Sequence, residues 1–426
     1  MLLAIDLAGL ARGRAAYGPE APRIAEPPRG PAPAAIPAPL DRAAAVAATT
    51  HPSVSAAEAE ARALEADYRG ARWLRYPSLS VEALAATQGS SLADSNGIAA
   101  NVALEQPIWN GGRISGEIDR ARANYAAGSD RVDEAERQIV LEVVAAYYDY
   151  VLARERVSVL TGSLEQHEAL IGSIERRVTQ EVSPLADLTL GRSRTAQVRL
   201  ELAGAQELLE SARIRLFELT GGLDVRPELP PTSVAGMLPD EETALAQALQ
   251  CDPTMAALTN LVDAAQAERR IARGSILPQV LLQLSQNEIT GARAAVVLRA
   301  QTGSGLSHFT RVQSASARIE RALAEFGEAE RRLREQLRRD YVSVGSARAR
   351  TEEGEVSADA AADIIQSYQR QFIAGRRSWL DVMNAVREAS SARLSESDAR
   401  VAVAAGTARI LARSCRWQPA PTGSGS

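Results

Sequence analysis

The chain contains no lysine: all 48 of its basic residues are arginine. That reads as the mark of a GC-rich genome rather than of a function. Aromatic residues make up only 4% of the 426, too few for one large globular core. There are two cysteines, Cys251 and Cys415, and neither belongs to a CxxC pair, which excludes zinc and redox motifs of that kind. The three histidines, His51, His167 and His308, stand far apart, and no two have metal-ligand spacing on a helix. Each is read as a structural or surface residue, and no metal or cofactor is expected. No stretch approaches about 18 uninterrupted apolar residues, so no transmembrane helix is predicted. Nucleophile motifs, phosphate loops and metal constellations are missing, which argues against an enzyme. The net charge of -5 and the lack of a concentrated basic stripe argue against nucleic acid as a partner.

What is present is alanine and arginine in abundance. As a prior, the length suggests two to four ordinary domains. Alanine-rich, charge-rich, aromatic-poor chains with long periodicity form long packed helices. The first residues, MLLAIDLAGLARGRAAYG, make a poor secretory signal, because Asp6 interrupts the apolar stretch and no basic region precedes it. For an exported protein the expectation is a signal missing from the start. Residues 20–39 are proline-rich, so residues 1–40 are read as a disordered leader or the remnant of a signal region. Residues 416–426 are read as a flexible tail ending in PAPTGSGS.

Between these ends the chain repeats itself. Pro52 matches Pro253, Arg69 matches Arg270, Arg72 matches Arg273 and Pro77 matches Pro278, at an offset of about 201 residues. Further on, Asp187 matches Asp381, Arg199 matches Arg393 and Leu200 matches Leu394, at an offset of about 194. Units this long are not solenoid repeats of about 20–50 residues; they look like an internal duplication. The first repeat is residues 41–222, the second 241–415, with the proline-rich 223–240 as a linker.

Each copy follows the same order of helix, strand, strand, long helix and return helix. A helix of modest length, 53–75 or 253–275, stops at a proline, which lacks an amide donor and disfavours helix before it. Two alternating segments follow, 77–88 and 98–108 in copy one. Leu79, Val81, Ala83 and Ala85 share one face there, and Ser78, Ser80 and Glu82 the other. In copy two Val280, Leu282 and Leu284 alternate with Gln283 and Ser285, and the 296–301 segment alternates least cleanly. Period two predicts strands. Long helices are predicted over 112–179 and 307–373, each spanning about 100 Å at about 1.5 Å per residue. In the second, Ile319, Ala322, Phe326, Ala329, Leu333, Leu337, Tyr341 and Val344 step by three and four, the coiled-coil pattern. Return helices are predicted over 184–219 and 378–413, the first stopped by Gly221-Gly222.

Four strands cannot close a barrel, whose usual minimum is about eight. Yet each strand has one apolar and one polar face, as a wall between lipid and water would. Open sheet edges do not persist in lipid. No helix with a broad apolar face is left over to cover the sheet, so pairing between protomers is the better answer. The strand count permits two protomers, giving eight strands, or three, giving twelve.

The segments NVALEQPIWNGGRISGEIDRARANY, VVAAYYDYVLARE and YQRQFIAGRRSWLDVMNAVREASSARL resemble the TolC-like outer membrane efflux protein family. The resemblance runs in order over about 41–415. It implies a mainly α fold with a membrane β-barrel portion, a homotrimer forming a twelve-stranded β-barrel joined to a long periplasmic α-helical barrel. It places the chain in the Gram-negative outer membrane, against its lipid, and puts the linker in an equatorial region. It also implies passive conduction, with a periplasmic adaptor (membrane fusion protein) and, through it, an inner-membrane ABC or RND-type transporter as partners. The missing lipobox cysteine and the VSPLADL tip tilt the expected route toward type I secretion of protein or adhesin. A small-molecule or drug efflux channel is the alternative, and a soluble coiled-coil scaffold the alternative of another class. Copy two departs from the pattern, with TGSGLSHF where copy one has QPIWNGGR, and the first tip carries Glu181 where glycine is common.

The same resemblance points to the turns at the periplasmic tips. Asp381, or Asn384 one turn on, ringing the pore three-fold would draw cations. The bland alternative is that Asp381, three residues after Ser378, only caps its helix. Arg370, Arg376 and Arg377 are candidates for salt bridges that hold the tip closed, or else form a solvated face. Gly375 is expected to make the tight turn, and Gly375, Ser378, Ser183, Pro184 and Asp187 to meet the adaptor. Tyr76 and Trp109 are candidate membrane-interface aromatics, with packing at the barrel-to-helix joint as the alternative. Tyr147, Tyr148 and Tyr150 are read as helix-seam residues. Cys251 and Cys415 both fall near the middle of the helical barrel by the family's topology. There they form a disulfide in an oxidising periplasm or remain two free thiols.

Overall fold

A computed structural model describes residues 31–86, 97–231, 233, 237–287, 291–300 and 307–419. Residues 1–30 and 420–426, with most of the leader and tail, lie outside the described residues, as do the strand-to-strand turn at 87–96 and most of the TGSGLSHF joint. Copy one runs α1 (Ala38–Thr50), α2 (Pro52–Trp73), β1 (Ser78–Ala86), β2 (Gly97–Trp109), α3 (Arg113–Thr179) and α4 (Leu185–Leu219). Copy two repeats it as α5 (Glu241–Cys251), α6 (Pro253–Gly274), β3 (Gln279–Asn287), β4 (Gly291–Arg299), α7 (Ser307–Ile373) and α8 (Trp379–Arg413). Among the described residues no helix is long and apolar enough to cross a membrane.

The long helices, the return helices and the first three strands fall where periodicity puts them, while β4 begins at Gly291, five residues before the alternation at 296–301. Two helices, α1 and α5, were not expected. Pro52 and Pro253 each sit at the first turn of the next helix, where a missing amide costs nothing. Each proline therefore divides two helices instead of opening the first one. Asp252 caps α6 by accepting from Met255 N–H at 3.1 Å, and Asp240 caps α5 by accepting from Thr243 N–H at 2.8 Å.

The two copies share one antiparallel sheet in the order β1-β2-β3-β4. On one face lie Leu79 and Val81, Val102 and Leu104, Leu282 and Leu284, then Val296 and Leu298. On the other lie Ser78, Ser80 and Glu82, Asn101 and Glu105, Gln283 and Ser285, then Arg293 and Arg299. Gln106 and Gln286 on the first face and Leu281 and Val297 on the second break this pattern.

Below the sheet the helices pack as antiparallel hairpins, α3 with α4 and α7 with α8. The main core lies midway along them, where Leu40, Val143, Val144, Tyr147, Val151 and Leu216 are fully buried. This core corrects both chain ends. Ala35, Ile36 and Leu40 are buried in it, so the leader does not extend to residue 40. Trp417 is also buried in it and donates from Nε1 to Asp41 Oδ1 at 2.7 Å, so the tail does not begin at 416. Cys251 and Cys415 are bonded to each other, which removes the free-thiol alternative. The bond ties the end of α5 to the end of α8 across 164 residues of chain.

The four helix ends share one device. A residue with positive φ follows each of α3, α4, α7 and α8: Glu181 at 58°, Gly221 at 64°, Gly375 at 69° and Cys415 at 57°. The next amide then bonds five residues back at 2.9 Å in every case: Val182 to Arg177, Gly222 to Phe217, Arg376 to Gln371 and Arg416 to Leu411. This is the left-handed cap that satisfies otherwise orphaned carbonyls.

Candidate functional site

Two regions carry the predicted residues: the tip, where each hairpin turns, and the sheet with its helix joints. At the tip an apolar cluster holds the two hairpins together through Leu170, Ile174, Leu188, Phe372, Trp379 and Val382. Trp379 was missed by sequence reasoning although it opens α8; it lies 7% exposed beneath Gly191, whose missing side chain leaves room for Ile171 and the indole.

Ser378 caps α8 by accepting from Asp381 N–H at 3.2 Å, so the three-residue spacing is a cap. Asp381 keeps a half-exposed carboxylate 3.8 Å from Arg377. Arg377 also stacks 3.8 Å from the Tyr368 ring centroid and donates from Nε to Gln371 Oε1 at 3.2 Å. Three contacts hold this guanidinium against its own hairpin. Arg177 of copy one reaches across to the Phe372 ring of copy two, 5.0 Å from its centroid. Arg370, Arg376 and Asn384 are exposed, and among the described residues none has a side-chain partner.

The first tip is built differently. Pro184 stands at the start of α4 with no side-chain cap. Asp187 lies in the first turn of α4, its amide bonded to Pro184 O at 3.1 Å, where its charge favours the helix amino end. Ser183 is half-buried, and Pro184 is exposed. Gly375 makes the second turn and Glu181 the first, both left-handed. Val182 at 62%, Leu185 at 67% and Ile373 at 83% exposure put apolar side chains on the outermost surface.

At the other end, Tyr76 and Trp109 are exposed at the joints between helices and sheet. Trp73, which sequence reasoning passed over, joins Tyr76 with ring centroids 5.1 Å apart. A bulge between Pro107 and Trp109 shifts the register, so Trp109 pairs with Val280 and joins the apolar face. Bulges re-aim side chains in this way. The four strands expose large apolar groups: Leu79, Val81, Val296 and Leu298 are each 66 to 70% exposed. Among the described residues the polar face carries one ion pair between strands, Arg299 with Glu105 at 3.4 Å.

Midway along the helices, two tyrosines at the 194-residue offset grip the linker. Tyr147 O–H donates to Glu228 O at 2.9 Å and its oxygen accepts from Glu228 N–H at 2.6 Å. Tyr341 donates to Pro239 O at 2.8 Å. Burial pushes both phenols up to about 12. The seam reading of Tyr147 and Tyr148 holds for their burial, but the linker contacts were not read from the sequence.

Residues 45–222 match the family model for outer membrane efflux proteins. The chain is 28% identical over 273 residues to the cobalt-zinc-cadmium resistance protein CzcC of Cupriavidus metallidurans, covering 61% of this chain and 60% of that one. It is 22% identical over 325 residues to the alkaline protease secretion protein AprF of Pseudomonas aeruginosa, covering 70% of this chain and 66% of that one. It thus spans less than two thirds of the length of either. Its fold matches that of the outer membrane protein VceC of Vibrio cholerae with a TM-score of 0.77 at 16% identity, over 88% of this chain and 95% of that one. Duplicated hairpins and a shared four-stranded sheet agree with these likenesses: residues 45–222 match the outer membrane efflux protein family model, and the fold is that of solved outer membrane channels.

Proposed function

We propose that the chain is one subunit of a homotrimeric exit duct. Three four-stranded sheets make a twelve-stranded barrel in the membrane, and the helix hairpins continue it as an α-barrel in the periplasm. The observation that carries this reading is the sheet. Its apolar face is exposed, its polar face bears charge, and among the described residues both its edges are unpaired. In lipid such edges need partners, and an identical subunit supplies them. The tips then meet a periplasmic adaptor, with apolar Val182, Leu185 and Ile373 beside Gly375, Ser378, Ser183, Pro184 and Asp187 as the docking surface. The duct itself is passive, and an inner-membrane ABC or RND-type transporter supplies the energy.

Type I secretion of a protein or adhesin is the route we favour, in keeping with the likeness to AprF. Efflux of small molecules or metal ions is the second reading, and the likeness to CzcC favours it. Capture of the adaptor and identification of the transporter it brings, ABC or RND type, separates them. A scaffold without membrane contact is disfavoured by the likeness to outer membrane proteins.

Asp381, Asn384 and the arginines are the proposed constriction. Single-channel recording in planar bilayers tests it. The full chain should give steady pores, and Asp381→Ala should lower their cation preference. Unchanged selectivity would leave Asp381 a helix-end residue only. A soluble helical oligomer without conductance would sink the duct.

A further inference from the structure

The sheet is a parallelogram. The first residue of β4, Gly291, is level with Asn287, Asn101 and Glu82, while β1 continues four residues further, to Ala86. At the opposite end Ser78 is level with Glu105, Gln283 and Ala295, and β4 continues four residues further, to Arg299. Both edges are nine residues long. A neighbour joined without sliding would leave four residues of each edge unpaired, which lipid does not tolerate.

On the reading of the chain as a barrel subunit, we infer the register of the seam between subunits. The partner subunit slides by four residues, so that the partner's Ser78 lies opposite Arg299 and the partner's Ala86 opposite Gly291. Three independent features agree with this register. First, four is even, so the pleat keeps both faces in order: the partner's Leu79 meets Leu298 and the partner's Val81 meets Val296 on the apolar face. Those four side chains are the most exposed large apolar groups of the sheet. Second, the partner's Glu82 falls opposite Ala295 and diagonal to Arg293, within reach of a long side chain. Both Glu82 and Arg293 are exposed, and among the described residues neither has an ion partner in its own chain. Third, four residues over four strands is a shift of one residue per strand. With about 3.4 Å per residue and about 4.8 Å between strands, the strands lean about 35° from the barrel axis, inside the range of membrane barrels.

Engineered cysteines test the register in the full chain with its native disulfide kept. Val81→Cys with Val296→Cys should yield covalent trimers on mild oxidation. Val81→Cys with Leu298→Cys, or with Ala294→Cys, moves one partner by two residues, beyond disulfide reach. The crosslinked fraction should then fall about tenfold. Stronger crosslinking in a displaced pair overturns the register. Native mass spectrometry of the unaltered chain separates this from failure of the trimer itself, which would appear as another subunit number. Should the cysteine variants not fold, Glu82→Arg should reduce detergent-resistant trimer, and Glu82→Arg with Arg293→Glu should restore it. Failure of the exchanged pair to restore it likewise counts against this seam.

Discussion

The two copies solve the same problems with different residues, and the exchange has a pattern. At the helix end near the main core, copy one uses Gly221 and copy two uses Cys415; at the tip, copy one uses Glu181 and copy two uses Gly375. All four positions have left-handed backbone, which only glycine adopts without steric cost. Copy two accepts that cost where a disulfide holds Cys415 in place. Copy one accepts it at an exposed turn, where no covalent tie exists. Between these ends, Tyr147 and Tyr341 take equivalent places and hold opposite stretches of one linker, but Tyr147 makes two hydrogen bonds to it and Tyr341 one. Duplication fixes the backbone path, and the copies then differ in how strongly each point is anchored.

The largest break in this comparison is expected at the disulfide. Cys251→Ser with Cys415→Ser should lower stability by about 2–4 kcal/mol, read as a fall in the midpoint of helix unfolding. Cys251→Ser with Cys415→Gly should recover part of that, because glycine removes the strain. The tyrosines come next. Tyr147→Phe removes two part-buried hydrogen bonds to the backbone of Glu228 and should cost about 1–3 kcal/mol. Tyr341→Phe loses a single bond and should cost about 1 kcal/mol, measured in the same unfolding assay. Glu181→Gly should act in the opposite direction, gaining about 1 kcal/mol by relieving the left-handed backbone; a loss instead would show that the Glu181 side chain serves the tip. The smallest effect is in alkali. Both phenols are raised by burial to about 12, from an ordinary value of about 10. Raised folded values keep their stabilisation below pH about 10 and lose it as pH climbs toward 12. Removing both hydroxyls should flatten that limb of a stability-against-pH curve.

Most of the fold is legible in the sequence because its signals are long. A seam that repeats over a helix of 67 residues cannot be mistaken for a strand, and four alternating segments in two matched pairs mark the sheet. The offset of 194 residues also aligns Tyr147 with Tyr341, a clue that only the linker contacts make meaningful. Helices α1 and α5 escape because alanine carries little apolar contrast and a proline follows each one. Trp417 escapes because proline and glycine follow it, and composition speaks for a tail where a single indole finds a pocket. The disulfide stands in the sequence only as one of two alternatives, because no local pattern relates residues 164 positions apart. At the tip, the cap by Ser378 follows from spacing, while the anchoring of Arg377 by Tyr368 depends on rotamers that spacing does not encode.

The contact between Trp417 and Asp41 imposes an order in time. A chain that crosses into the periplasm amino end first delivers α1 early and its indole partner last, with nearly the whole protein in between. The collar around the linker therefore cannot close while export is under way. Its final covalent tie waits for Cys415 and for an oxidising compartment.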